Sequence, residues 1–214
     1  MIVQAVNELG ELQDDVLLVR YGASPEDWER AADSTHFVEF IDGRLIMHSP
    51  VALVHARIGT FLHSLLHLYI ERSNLGELLA GPFAMDLGLA RKFEPDLLFV
   101  SKDKCKHLRE DRLEGPADLA IEIASPSTRS YDQGDKRECY RVGRVGEYWM
   151  IDPYDRLIIA DKPAGNELGR FSRGWVESSL CSGFRLRAEW LWGERPPKVE
   201  ECLKEIVAAS GGGT

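Results

Sequence analysis

The chain has no Cys-x-x-Cys pair. Its four cysteines, Cys105, Cys139, Cys181 and Cys202, are scattered along 214 residues. That spacing argues against a zinc knuckle or a dithiol redox motif and leaves four free thiols as the reading. Long apolar runs are missing too. The most apolar stretch, around Phe61 to Ile70, is interrupted by His63 and His67 and is too short to cross a bilayer. Nothing at the start reads as a basic region followed by an apolar one, so a cytoplasmic protein with no membrane partner is expected. Nor is there a surplus of positive charge: 26 Lys and Arg stand against 35 Asp and Glu, a net charge of −9. Such a chain does not hold nucleic acid by bulk charge, and any such contact needs a local basic cleft. A Gly-x-Ser-x-Gly nucleophile elbow is absent, so Ser125, Ser127 and Thr128 read as turn and cap residues.

What is present is ordinary for a globular fold: 44% hydrophobic and 29% charged residues. Residues 1–24 read as an N-terminal arm, 25–194 as one domain, and 195–214 as a C-terminal amphipathic helix with a frayed tail. Ser24-Pro25-Glu26-Asp27 opens a short helix ending near Asp33, with Ser as cap and an acid three residues on. Two apolar runs, 37–41 and 44–47, flank Asp42-Gly43, a hairpin signal. Ile58, Phe61, Leu62, Leu65, Leu66 and Tyr69 fall on one face of a helix over 52–72, stopped by Asn74 and Gly76. Segments 83–89 and 93–100 read as strands joined by a basic turn at Arg91-Lys92. Residues 101–117 read as loop, 118–124 as a buried strand, 130–142 as a helix, 147–151 as a strand, and 156–161 with 170–178 as an antiparallel pair. The fold class is α/β (α+β) around one mixed sheet.

The chemistry is suggested by acids inside apolar strands. Along Asp118–Ala124, Ala120, Glu122 and Ala124 share one face, opposite Leu119, Ile121 and Ile123. A carboxylate among small residues is either an ordinary surface acid or a buried group that needs a partner or a cation. Asp96, after Pro95, is either a turn residue or the second member of a carboxylate pair. One or two carboxylates plus water suit Mg²⁺. Asp132, Lys136 and Tyr140 lie at i, i+4 and i+8 on one helix face, which makes either a surface ion pair or an ammonium aimed at developing negative charge.

Glu39-Phe-Ile-Asp-Gly-Arg-Leu45, Glu94-Pro-Asp-Leu-Leu-Phe-Val100 and Leu119-Ala-Ile-Glu-Ile-Ala-Ser-Pro-Ser-Thr128, continued through Asp132, Lys136, Tyr140 and Glu147-Tyr-Trp-Met-Ile-Asp-Pro153, together resemble a widespread bacterial family of restriction-endonuclease-like proteins. That family lies within the PD-(D/E)XK nuclease superfamily. The resemblance covers about residues 25–190. It implies a restriction-endonuclease-like core, a mixed sheet flanked by helices, and metal-dependent cleavage of phosphodiester bonds in DNA. It also implies residue roles. Asp96 and Glu122 would hold Mg²⁺ or Mn²⁺ with the Ile123 carbonyl as a third ligand. The superfamily's lysine two positions after the second acid is replaced by Ala124, and Lys136 from the next helix matches it, orienting or deprotonating the water. Glu39 would support a second metal or the lysine, and His55, Asp132 and Tyr140 are accessory candidates. A homodimer is expected, since the arm and the last helix each offer apolar surface. The other readings are a catalytically silent, nuclease-like binding or scaffold protein, which the acidity favours, and a hydrolase acting on RNA or a nucleotide. His63 and His67, at i and i+4 but without an intervening Glu, read as polar-face residues beside the apolar stripe.

Overall fold

Two large β-sheets, a small two-stranded one and a set of helices make up the structure, a computed structural model that describes residues 2–3, 18–32, 38–47, 52–88, 91–126 and 128–210. The N-terminal half contains β1 (Ile2–Val3), β2 (Leu18–Tyr21), α1 (Pro25–Ala32), β3 (Val38–Ile41), β4 (Arg44–Met47), α2 (Leu53–Ser73) and β5 (Gly76–Ala80). There follow β6 (Ala84–Asp86), β7 (Arg91–Phe93), β8 (Leu97–Ser101), β9 (Arg112–Glu114) and β10 (Leu119–Ile123). The remainder is α3 (Arg129–Tyr131), α4 (Arg137–Val142), β11 (Glu147–Asp152), β12 (Leu157–Lys162), β13 (Glu167–Phe171), β14 (Trp175–Glu177), β15 (Arg185–Arg187) and α5 (Val199–Ser210). Asp33, Phe37, Leu89, Ser127, most of the arm (4–17) and the tail (211–214), on which sequence expectations fell, lie outside the described residues.

Local chemistry explains several boundaries. At α1, Ser24 Oγ accepts the Asp27 N–H at 3.2 Å and Asp27 Oδ2 accepts the Ser24 N–H at 2.9 Å, a reciprocal cap. Asp42 and Gly43 take φ of 47° and 81°, the left-handed pair that turns β3 back on β4. The apolar stripe of α2 is buried throughout, from Ile58 to Ile70, and Asn74 ends the helix at φ 53°.

The sequence reading of one mixed sheet is corrected: there are two large sheets. The first is six-stranded in the order β13-β12-β11-β10-β8-β5, with β10 and β11 parallel and the other pairs antiparallel. The second is seven-stranded in the order β1-β2-β4-β3-β7-β6-β9. Short strands escape a pattern search because three or four residues carry no measurable period. β5, Gly-Glu-Leu-Leu-Ala, has no apolar–polar alternation to reveal it, and the expected 170–178 strand divides between β13, which pairs β12, and β14, which pairs β15. Arg91-Lys92 is not a turn either. It lies in β7, and the turn comes earlier, at Gly88 (φ 71°). Lys92 is buried because its ammonium meets Asp86 Oδ2 at 2.7 Å and sits 4.6 Å from the Trp28 ring centroid, so the charge is compensated where the stem packs.

Alternation along β10 divides its residues between two cores. Leu119, Ile121 and Ile123 join Ile58, Leu62, Leu65 and Leu66 of α2, and Cys202 and Ile206 of α5 belong to the same cluster. Ala120 and Ala124 face the other way, into a cluster with Ile41 of β3, Met85 of β6, Phe93 of β7 and Tyr140 of α4. The six-stranded sheet is therefore covered by α2 and α5 on one face. The second sheet and the α3–α4 segment cover the other. Among the described residues no helix is long and apolar enough to cross a membrane.

Candidate active site

The period-two rule carries three side chains into one place. Glu39 shares a face of β3 with Ile41, whose side chain packs toward the six-stranded sheet. Glu122 leaves β10 between Ala120 and Ala124 toward the same layer. Two carboxylates thus meet between the sheets, both buried. The helix after β10 supplies the cation. Lys136 Nζ lies 2.7 Å from Glu39 Oε1, 2.8 Å from Glu122 Oε1 and 3.9 Å from Asp132 Oδ1, and is 1% exposed.

The helix that delivers Lys136 is irregular at that point. α3 and α4 are joined by a π-helical turn, Asp132–Lys136. Such insertions recur at functional sites because the extra residue re-aims the side chains on the inner face. The turn is anchored from the sheet by Tyr148, whose hydroxyl donates to the Asp132 carbonyl at 3.1 Å. Upstream, Ser125 and Thr128 cap the start reciprocally: the Thr128 N–H donates to Ser125 Oγ at 3.2 Å and the Ser125 N–H to Thr128 Oγ1 at 3.0 Å. Two hydroxyls complete the cluster. Tyr140 donates to Glu122 Oε1 at 2.8 Å and Tyr131 to Glu39 Oε2 at 3.0 Å.

Asp96 stands just before β8. Continuing the β8–β10 register by one pair sets it opposite Glu122. Its Oδ2 accepts the Ile123 N–H at 2.7 Å, and its Oδ1 lies 3.2 Å from His55 Nε2 of α2. Because the N–H and C=O of one strand residue point to the same edge, the Ile123 carbonyl is presented on the side where Asp96 sits. A cavity of about 280 Å³ opens beside Asp96 and His55.

The electrostatics follow from three acids around one ammonium. Burial works against the charge of Lys136, but Glu122, Glu39 and Asp132 outweigh it and hold the lysine above its ordinary range, fully protonated. Burial drives Glu122 well above the usual carboxylate range. Lys136 opposes that rise, and Asp96, Asp132 and Glu39 add to it. Burial also opposes the charged form of His55, and the hydrogen bond and charge of Asp96 together with Asp132 overcome it, so His55 is raised.

All of the expected site residues are therefore accounted for. Glu39, Glu122, Asp132, Lys136 and Tyr140 form one buried cluster; Asp96, His55 and the Ile123 backbone form an adjoining, partly exposed one. Among the described residues no three of His, Cys, Asp or Glu converge as a ready-made metal cage. Tyr131 was missed, although its place beside Asp132 in the same motif was a usable signal. Glu94, next to Pro95, ties this segment to β3: its backbone N–H donates to Glu39 Oε1 at 3.3 Å and its Oε2 accepts the Val38 N–H at 3.2 Å. On α4, Arg137 is tied to Asp161 Oδ2 at 2.6 Å.

A mixed sheet with acids at the ends of its central strands, paired with a buried lysine, defines a restriction-endonuclease-like protein of the nuclease class. The profile of the family described as "Uma2: Putative restriction endonuclease" matches residues 25–180, and the chain belongs to that family. No curated protein matches the chain. Among solved structures it is similar to a protein of Anabaena variabilis ATCC 29413 described as a "putative nuclease belonging to DUF820". Identity is 18% over 72% of this chain and 89% of the other, with a TM-score of 0.64, a likeness of fold.

Proposed function

We propose that the protein is a metal-dependent endonuclease that hydrolyses phosphodiester bonds, with DNA as substrate. The observation that carries this reading is the convergence of Glu122 and Lys136 beside Asp96, from separate elements, at the ends of the central strands. The donor set fits a hard divalent cation such as Mg²⁺ or Mn²⁺. Two carboxylates and a backbone carbonyl are oxygen ligands. Glu122 Oε1 is occupied by Tyr140 and Lys136, whereas Oε2 takes no hydrogen bond among the described residues. In this reading Asp96, Glu122 and the Ile123 carbonyl hold the cation. When bound, it would polarise the phosphate and ease deprotonation of the attacking water.

The chain's own groups do the rest. Lys136, kept protonated by its acids and sealed from solvent, serves as a fixed positive charge that orients Glu122, not as a base. Glu39 positions Lys136. The Tyr140 hydroxyl fixes Glu122 so that Oε2 remains available, and His55 orients Asp96. Incubation of supercoiled plasmid, single-stranded DNA and RNA with Mg²⁺ and with Mn²⁺ tests the reading. Cleavage by the wild type and none by Glu122→Gln or Lys136→Ala supports it. An inactive wild type that shows no melting shift with either ion overturns it. That last outcome would instead fit the silent scaffold, which the lack of a three-residue cage among the described residues favours.

A further inference from the structure

The cavity beside Asp96 is walled by one face of α2. His55, Gly59 and His63 follow at i, i+4 and i+8, with Thr60 alongside. His55 is engaged by Asp96. His63 makes no hydrogen bond or ion pair among the described residues; its ring stacks on His67, centroids 5.8 Å apart and planes 8° apart, which holds its orientation. Gly59 between the two imidazoles is not demanded by packing. A Cβ there would meet only Ile123 Cδ1, at an ordinary 3.5 Å. What the missing side chain gives is room.

Thr60 also lines a second, larger groove of about 550 Å³ on the adjoining face of the helix, whose wall includes Arg57 and Arg195. Arg57 is held by a 3.1 Å hydrogen bond to the Glu194 carbonyl. Neither guanidinium has a carboxylate partner among the described residues, in a chain whose net charge is −9. The two depressions share Thr60; among the described residues the His63 imidazole, the Thr60 hydroxyl and the Arg195 guanidinium make no hydrogen bond or ion pair, and Arg57 bonds only a backbone carbonyl.

We propose that the α2 cavity is a phosphate subsite. The His63 imidazole N–H and the Thr60 hydroxyl donate to the oxygens of a phosphodiester next to the one cleaved, and the strand continues across α2 past Arg57 and Arg195. Whatever its protonation state, an imidazole keeps at least one N–H to give. Phosphate contacts of this kind set register without reading sequence. The inference rests on the nuclease reading above and assigns the path of its substrate.

The test uses the full chain, a fluorescein-labelled DNA duplex and its single strand. Anisotropy is followed across a NaCl series and initial rates are measured with Mg²⁺. His63→Ala is expected to raise Kd and KM roughly tenfold with kcat nearly unchanged. His63→Gln, which retains an N–H donor, recovers most of the loss. Arg57→Gln with Arg195→Gln lowers the slope of log Kd against log salt by about one per arginine. Melting temperatures should match the wild type. Wild-type Kd and KM in His63→Ala overturn the subsite while leaving the nuclease reading intact, as does an equal loss in both His63 variants accompanied by reduced melting. A wild type that neither binds nor cleaves DNA or RNA overturns both.

Discussion

Lys136 Nζ lies 2.7 Å from Glu39 Oε1, and both side chains are sealed from solvent between the two sheets. The contact joins the second sheet to the helix that follows β10. A buried ion pair of this kind is weak evidence for stability but a strong constraint on what replaces it, because removing one partner strands the other. Lys136→Met is therefore expected to cost about 3–5 kcal/mol in urea unfolding. The loss should grow with pH. Without the ammonium, Glu122 and Glu39 lose the group that favours their charged forms, and Glu122 is already raised by burial. A carboxyl whose folded pKa lies above its unfolded one contributes stability at low pH that disappears as pH rises through the folded value. Unfolding at pH 5 and pH 8 checks the sign: a variant equally destabilised at both would contradict it.

A double-mutant cycle isolates the pair. Glu39→Gln keeps the volume of the side chain and a carbonyl able to accept the Tyr131 hydroxyl, while removing the charge opposite Lys136. The coupling between Glu39→Gln and Lys136→Met should lie within about 0.5–3 kcal/mol, with the double variant less destabilised than the sum of the singles. Strict additivity would mean that the two residues do not share one charge network.

How much of this was readable from residue order depends on the length of the signal. The 21-residue helix α2 repeats its apolar stripe several times, and Asp42-Gly43 allows few backbone alternatives, so both were legible. β10 was legible because Leu119, Ile121 and Ile123 alternate with small residues, which also singled out Glu122. The division into two sheets was not. β6, β7 and β9 each have three residues, and their placement rests on long-range pairs such as Phe40 opposite Lys92 and Met85 opposite Leu113. The burial of Lys92 was hidden for a related reason: its compensation by Asp86 and Trp28 exists only after folding. At the site, spacing put Asp132, Lys136 and Tyr140 on one face, but the π-turn and the Tyr131 contact to Glu39 depend on the sheet beneath.

The thiols report on the sheet–helix core. Burial pushes Cys181 up to about 12 and Cys202 up to about 11, with nearby acids adding to the shift. Thiolate is the reactive form, so both should resist iodoacetamide at pH 8 in the native state. Cys105 is also raised by burial, but it is partly exposed and should alkylate first. Peptide mapping after timed labelling checks the order. Rapid modification of Cys181 without denaturant would contradict the packing of this core. All four sites should label in urea.

Strand β5 closes the six-stranded sheet, and Gly76 at its start has no space for a side chain. A Cβ would fall 2.1 Å from the Val100 carbonyl oxygen, a backbone atom of the neighbouring strand, and the residue sits at φ 155°. Gly76→Ala must therefore part β5 from β8 or distort both, a loss of about 3 kcal/mol or more on the scale of overpacking and strain. Gly59→Ala, whose Cβ meets only a side-chain methyl at 3.5 Å, is the matched control and should melt close to the wild type. Equal melting temperatures for the two variants would show that the β5–β8 register is wrong.

Metal dependence has a readout that does not need turnover. If Asp96 and Glu122 hold a divalent cation, Mg²⁺ or Mn²⁺ raises the melting temperature of the wild type, because binding to the folded state alone adds RT ln(1 + [L]/Kd) to stability. Asp96→Asn is a clean probe. Its amide oxygen can still accept the Ile123 N–H that Oδ2 accepts now, so the junction of β8 and β10 should survive. Its neutral head removes one of the two anionic ligands. Glu122→Gln likewise retains an acceptor for the Tyr140 hydroxyl. Asp96→Asn should melt without metal near the wild-type value, Glu122→Gln lower because Lys136 loses one of its buried partners, and both should lose the shift on adding metal. A shift that persists in both would place the cation elsewhere and remove the chemistry assigned to this pair.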